Sequence, residues 1–246
     1  NIKKELLRFI SEDIQSGDIT SVLLPKKKIK AKIISRQEGI LAGIRFARDI
    51  FYLKGCRVRI IKKDGAKVKS NQTILQVSGD AKAVLSCERT VLNLLARMSG
   101  IATQTSLLVS KIRKINRKTK LYSTRKTAPG LRFFDKEAVA IGGGHKHRMS
   151  LNDMVMIKDN HLLVSNSIEN ITKNARKQHR DVEVEVENQR DAMIAADSGA
   201  TIVMLDNFSP AQIKKTISAL QKKKLRNKVK LEASGGINSK NITAYA

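Results

Sequence analysis

Tryptophan is absent from this chain, and aromatic residues make up only 4% of it. Sequence-tolerant nucleic-acid binding uses aromatic side chains as stacking platforms, so that mode is poorly supported. Cysteine is nearly absent too. Cys56 and Cys87 stand apart, without the paired spacing of a zinc site or the density of a disulfide-stapled domain. Both are expected to be buried, reduced thiols, which fits a cytoplasmic protein. No HExxH or CxxC pattern supports zinc. No run of eighteen apolar residues occurs, so no membrane-spanning helix is expected. The opening residues, NIKKELLRFISEDIQ, lack both a signal-peptide apolar stretch and an initiator Met, so a fragment is expected.

Acidic residues are scarce as well: 22 against 48 Lys and Arg, a formal net charge of +26. One reading is a nucleic-acid partner whose phosphates the cations neutralise. The other is a surface that has accumulated lysine. The lysines fall in short runs scattered along the chain, such as Lys26-Lys27-Lys28, Lys62-Lys63 and Lys222-Lys223-Lys224. That scatter favours solvated surface over a binding stripe, and nucleic acid is not an expected partner.

What is present is ample core. Hydrophobic residues make up 41% of 246, enough for one or two domains. Residues 1–98 read as an α/β sandwich domain. An amphipathic opening helix carries Ile2, Leu6, Leu7, Phe9 and Ile10, and IKAKIISR alternates as a half-buried strand. Gly43 to Leu53 reads as a helix. VRIIKKDGAKVKSNQTILQVSG reads as two strands about a Lys63-Asp64-Gly65 turn. Ala81 to Met98 is a strong helix, and Ser99-Gly100 is read as its break.

Residues 99–246 then change pattern to strand, loop and helix in repetition. The strand candidates are KLYSTRK, MVMIKDN, VEVEVEN, TIVMLDN and VKLEASGG, with helices expected over 168–178, 189–198 and 211–223. Such alternation implies parallel strands joined by crossovers. Each strand carries polar groups toward its end: Arg125-Lys126, Lys158-Asp159-Asn160, Glu183 with Glu185 and Glu187 on one face of VEVEVE, Asp206-Asn207 and Ser234-Gly235-Gly236. In a parallel β/α barrel those ends meet at one mouth, where active sites are built. The expected fold is therefore an N-terminal α/β sandwich followed by an irregular, TIM-like β/α barrel.

The densest stretch is Thr124 to His161, where Arg125, Lys126, Arg132, His145, Lys146, His147, Arg148 and Lys158 sit among turn glycines. Arginine offers a planar fork to carboxylate or phosphate, and lysine a point charge. Such a set suits a small, highly charged anion. Gly142-Gly143-Gly144 and Ser234-Gly235-Gly236 are either phosphate-binding turns or plain loops. In VEVEVE the glutamates share one face, and Glu185 with Asp206 would hold Mg²⁺ or sugar hydroxyls. The alternatives are a solvated strand residue for Glu185 and a helix cap for Asp206. His147 is either a ligand-orienting donor or a loop histidine.

These motifs resemble the quinolinate phosphoribosyltransferase family along essentially the whole chain. The resemblance is carried by SGDIT (Ser16–Thr20), EGILAG (Glu38–Gly43), ERTVLNLLARMSGIAT (Glu88–Thr103), TRKTAPGLR (Thr124–Arg132), GGGHKHR (Gly142–Arg148), IKDNH (Ile157–His161), EVEVEN (Glu183–Asn188), MLDN (Met204–Asn207) and EASGGI (Glu232–Ile237). It implies phosphoribosyl transfer from phosphoribosyl pyrophosphate to quinolinate, with decarboxylation and Mg²⁺, and a homodimer in which Arg89 reaches into the neighbouring site. Lys126, Lys158, Glu185 and Asp206 would be catalytic. Arg89, Arg125, His147, Arg148, Ser234, Gly235 and Gly236 would bind substrate, and Glu185 and Asp206 would hold the metal. Rival readings are a ModD-like transferase of another substrate and a basic nucleic-acid-binding protein without catalysis. The chain departs from the family pattern at Ser123, Lys146 and Ser150, where Asp, Asn and Gly are usual. The family also continues past Ala246, so an incomplete C-terminal end is expected.

Overall fold

The computed structural model describes residues 1–246, which form two compact units: Asn1–Ser110 with Lys118–His147, and Lys111–Arg117 with Arg148–Ala246. In the first, helix α1 (Ile2–Ile14) starts at Asn1, whose side chain accepts the Lys3 N–H (3.1 Å). Its apolar stripe buries Leu6 and Ile10. Strands β1 (Lys28–Ile34) and β2 (Gly39–Ile40) precede α2 (Ile44–Leu53), and β3 (Arg57–Ile60), β4 (Lys67–Val68) and β5 (Thr73–Asp80) follow it. An antiparallel sheet runs in the order β1-β5-β3. Leu75 and Val77 are buried and Val58 packs on the core, while Lys30, Lys32, Arg57 and Arg59 are exposed. Part of the excess charge is therefore the solvated face of this sheet.

The turn at Lys63-Asp64-Gly65 does not join two paired strands, as expected from the sequence. β3 pairs with β5, and β4 leaves to pair with β2. The cause is local. Asp64 Oδ1 accepts the Ile44 N–H at the start of α2 (2.9 Å), and the Gly65 N–H donates to Leu41 (2.8 Å). The turn is thereby tied to the β2–α2 segment.

Nor does the expected break at Ser99-Gly100 occur. Helix α3 runs unbroken from Ala81 to Ile115, 35 residues. A glycine inside a helix costs about 1 kcal/mol relative to alanine. Here Met98 and Ala102 are buried on either side of it. The Ser99 hydroxyl accepts the Ala42 N–H (3.0 Å), and Thr103 Oγ1 accepts the Ile40 N–H (2.9 Å). These side chains satisfy backbone groups of the β2 segment only while the helix continues.

Helix α4 (Arg132–Ile141) lies within the cation-rich stretch Thr124 to His161, where no helix was expected. Phe134 is buried and stacks edge-on against Phe46 (5.0 Å between ring centres) and tilted against Phe9 (5.3 Å). Asp135 receives a two-pronged ion pair from Arg97 of α3 (2.7 and 2.8 Å). The helix ends in the three glycines, for more than one reason. A Cβ at Gly142 would lie 2.5 Å from the Ala102 carbonyl oxygen, and one at Gly144 would lie 2.8 Å from Val139 Cγ1. Gly143 has φ +91°, the left-handed conformation that ends helices. The run is needed for helix packing, whatever else it does.

The second unit is regular. Strands β6 (Val155–Ile157), β7 (Val182–Val186), β8 (Ile202–Asp206) and β9 (Lys230–Ser234) pair in parallel in that order. Between them lie α5 (Asp159–Ser165), α6 (Ile168–Gln178), α7 (Gln189–Asp197) and α8 (Pro210–Lys222). The starts are written in the sequence: Ser167, Asn188 and Ser209 cap α6, α7 and α8, and Pro210 opens α8. Ile157, Val184, Val203 and Leu205 pack with Ala192, Ala196 and Leu220. Neighbouring parallel strands separated by helices are the winding of a β/α barrel. KLYSTRK adds no full strand. It contributes one isolated parallel bridge, Tyr122 to His145, in the first unit. The architecture is thus an N-terminal small-sheet α/β unit and a C-terminal parallel-sheet α/β unit. No helix is long and apolar enough to cross a membrane.

Two predictions follow from the packing. Gly142→Ala will lower stability by about 1–3 kcal/mol, read as the midpoint of urea unfolding, because the added methyl meets backbone that cannot move freely. A midpoint unchanged from the parent would contradict the packing. Cys56 and Cys87 are both free and buried, and burial raises both thiol pKa values, that of Cys87 from 9.0 to about 11. Neither will react with a thiol-specific reagent at pH 8 until denaturant is added. The folded Cys87 keeps its proton to higher pH than the unfolded one, so its contribution to stability is intact below pH 9.0 and declines toward about 11.

Candidate active site

Residues two apart on a strand share a face, and the register of the parallel sheet aligns those faces into rows. One face holds Ile157, Val184, Val203 and Leu231 across the four strands. The opposite face holds Glu185, Met204 and Glu232 in one row and Asp206 beside Ser234 in the next, toward the C-terminal edge. Lys158 directly follows β6 and donates its ammonium to Glu185 Oε2 (2.6 Å). Its own N–H is held by His161 Nδ1 (3.0 Å), which fixes where the side chain starts. Four of the five strand tips read from the sequence do share an edge: Lys158, Glu185, Asp206 and Ser234-Gly235-Gly236 lie along one edge of one sheet, whereas Arg125-Lys126 follows no strand of it.

The tip of β8 is locked to the loop after β9. The Asn207 N–H donates to the Ser234 carbonyl (2.8 Å), and Asn207 Nδ2 donates to Asp206 Oδ2 (2.7 Å). Gly235 has φ +84°, and a Cβ there would lie 2.2 Å from Asn207 Oδ1. Only glycine permits both the backbone turn and that approach. Glu185 and Asp206, on neighbouring strands about 4.8 Å apart, are a hard oxygen donor pair of the kind that suits Mg²⁺.

Two carboxylates on the same face went unassigned from the sequence. Glu183 is fully buried two residues before Glu185, and its carboxylate lies within 4.8 Å of that of Glu232. Burial falls along β7, from Glu183 through the half-buried Glu185 to the exposed Glu187. Alternation placed all three on one face but could not rank their depth. Arg148 lies over the same side of β6, donating to the Met154 carbonyl (3.5 Å) and Met156 Sδ (3.0 Å).

In the first unit the cationic segments run side by side. The Ser123 N–H donates to His145 O (2.9 Å), and the His145 N–H donates to Leu121 O (2.8 Å). Arg125 is half-buried and its Nε has no partner, while Lys126 is exposed. His147 sits edge-on to the Tyr122 ring (5.8 Å between centres) with φ +51°, in the left-handed region that histidine adopts more readily than most non-glycine residues. Lys146 adds no free charge here, because it pairs with Glu137, which also takes Arg45 (2.7 Å). Ser150 lies in a local turn with Asn152 and Asp153. Arg89 is exposed on α3 and belongs to neither cluster.

Two family models match the chain: "Quinolinate phosphoribosyl transferase, N-terminal domain" over residues 18–99 and "Quinolinate phosphoribosyl transferase, C-terminal domain" over residues 101–246. The chain belongs to the quinolinate phosphoribosyltransferase family. It is 42% identical over 230 residues to a probable nicotinate-nucleotide pyrophosphorylase (carboxylating) of Archaeoglobus fulgidus, covering 94% of this chain and 88% of that protein. A protein of the same name from Bacillus subtilis is 40% identical over 250 residues, covering 99% and 84%. Among solved structures, the nicotinate-nucleotide pyrophosphorylase of Francisella tularensis superposes with a TM-score of 0.90 at 38% identity, over 99% of this chain and 86% of that one. NadC from Streptococcus pyogenes gives 0.91 at 33%, over 99% and 86%.

In this family member, Gly235→Ala will displace Asn207 and lower stability by about 1–3 kcal/mol, through steric overlap and an unfavourable φ together. Chemical denaturation checks this. An unperturbed midpoint would show that the β8–β9 lock is not rigid.

Proposed function

We propose that the chain transfers the phosphoribosyl group of phosphoribosyl pyrophosphate to quinolinate with loss of CO₂, giving nicotinate mononucleotide and pyrophosphate. The observation that carries this reading is the row of Lys158, Glu185, Asp206 and Ser234 along the C-terminal edge of a parallel sheet, in a chain of this family. Arg125, Lys126, His147, Arg148 and Lys158 bind the carboxylates and phosphates of the two substrates, and Ser234, Gly235 and Gly236 bind phosphate. The protein acts as a homodimer, with the exposed Arg89 reaching into the partner's site, and resides in the cytoplasm, in keeping with its reduced thiols.

The electrostatics explain the cation supply. Quinolinate is a dianion and phosphoribosyl pyrophosphate is more negative still. Two unit charges 4 Å apart at an effective dielectric near 20 interact by about 4 kcal/mol. Uncompensated, the substrates would repel each other. Fixed cations remove that penalty and hold the ring nitrogen in line with the ribose C1. As the bond to pyrophosphate breaks, positive charge develops on the ribose, and the carboxylates of Glu185 and Asp206 stabilise it. The ring nitrogen bonds to C1 and becomes cationic. That charge stabilises the electron pair left when the adjacent carboxylate departs as CO₂, and the ring carbon then takes up a proton. No protein nucleophile is required. Glu185 and Asp206 would hold Mg²⁺, which when bound neutralises diphosphate charge.

The test is formation of nicotinate mononucleotide from quinolinate, phosphoribosyl pyrophosphate and Mg²⁺, beside the double variant Arg125→Ala/Lys158→Ala. Turnover is expected from the unsubstituted chain, with a loss of at least about 100-fold in the variant. Equal rates would remove these residues from the site, and CO₂ release without phosphoribosyl pyrophosphate would contradict the mechanism.

A further inference from the structure

Lys136 belongs to no group assigned above, yet its side chain is fully buried. Enclosing an ammonium is costly unless oxygens surround it. Its Nζ donates to the Ser123 hydroxyl (3.1 Å) and to the Lys146 backbone carbonyl. The Ser123 hydroxyl donates to that same carbonyl (2.8 Å), so the three groups close a triangle. From one corner the chain runs through Thr124 to Arg125 and Lys126. At another corner the next residue is His147, in its left-handed conformation. The third corner is α4, itself anchored to α3 by the Arg97–Asp135 pair.

We infer that Lys136 is a positioning residue for phosphoribosyl transfer. Its buried ammonium clamps the Ser123 and Lys146 segments together and so sets where Arg125, Lys126 and His147 present their donors. Helix α4, anchored on the long helix α3, thereby orients two irregular segments that carry no regular hydrogen-bond ladder of their own. This inference rests on the assignment of those three residues to substrate binding. The side chain at position 123 is part of the clamp, because its hydroxyl both accepts from the ammonium and donates to the carbonyl that the ammonium also holds.

The test is steady-state kinetics on the full chain for Ser123→Ala, Lys136→Met, the two combined, and Arg125→Ala as reference, with a thermal melt of each. A misplacement of about 1 Å in a positioning group costs about 100-fold. Lys136→Met is therefore expected to lower kcat/KM by about that factor, mostly through a raised KM for quinolinate, and Ser123→Ala to raise that KM by a smaller factor. Because both act through one clamp, the combined variant is expected to be no worse than Lys136→Met alone. A purely structural lysine would lower the melting temperature and leave KM at the parent value. That result, with Arg125→Ala impaired, would overturn the inference and leave the site assignment standing. A normal Arg125→Ala enzyme would overturn both. If Lys136→Met does not fold, KM of Ser123→Ala decides the question alone: raised supports the clamp, unchanged rejects it.

Discussion

The candidate site depends on one geometric constraint: in a parallel strand, alternate residues face opposite ways. In VEVEVEN this sends valines to the helices and glutamates to the other side, and in β8 and β9 it sends Asp206 and Ser234 to that same side. Chain direction then does the rest. Because all four strands run the same way, their C-terminal polar residues emerge along one edge. A one-residue slip in β7 would place Glu185 among Ala192 and Leu220, where no carboxylate is tolerated. The apolar packing and the polar edge therefore enforce the same register.

The first unit holds its cations differently, without a sheet. Its segments around Arg125 and His147 share one bridge and a few backbone bonds, and a buried lysine under them supplies the missing rigidity. Charge also limits charge. Lys146 and Arg45 share Glu137, Arg97 takes Asp135, and Lys158 takes Glu185, so three acids of a strongly basic chain hold cations in place. Elsewhere, as on Lys30, Lys32, Arg57 and Arg59, positive charge stands in solvent, where its position is unconstrained.

Most of the second unit was legible in the sequence. Its strands are short apolar runs with polar ends, and Ser167, Asn188 and Ser209-Pro210 announce its helices. The convergence of Lys158, Glu185, Asp206 and Ser234 followed from strand polarity alone. The first unit was less legible because its decisive bonds are tertiary. Ser99 and Thr103 carry α3 past a glycine by capping groups some sixty residues away in sequence. Helix α4 was hidden because its buried face includes Asp135 and Lys136, which leave no clean apolar stripe. The glycines after it read as either a phosphate-binding turn or a plain loop, whereas Gly142 and Gly144 are dictated by helix packing. The partner of Lys146 could not be read either, since nothing in the spacing of Glu137 and Lys146 announces an ion pair.

The most direct measurement is a crystal structure of the protein with quinolinate and an unreactive analogue of phosphoribosyl pyrophosphate. Analogue phosphate is expected against the backbone of Ser234–Gly236 and ribose beside Glu185 and Asp206, at the C-terminal edge of β6 to β9. Ligand density at the opposite edge of that sheet, or on the outer face of the β1-β5-β3 sheet, would contradict it.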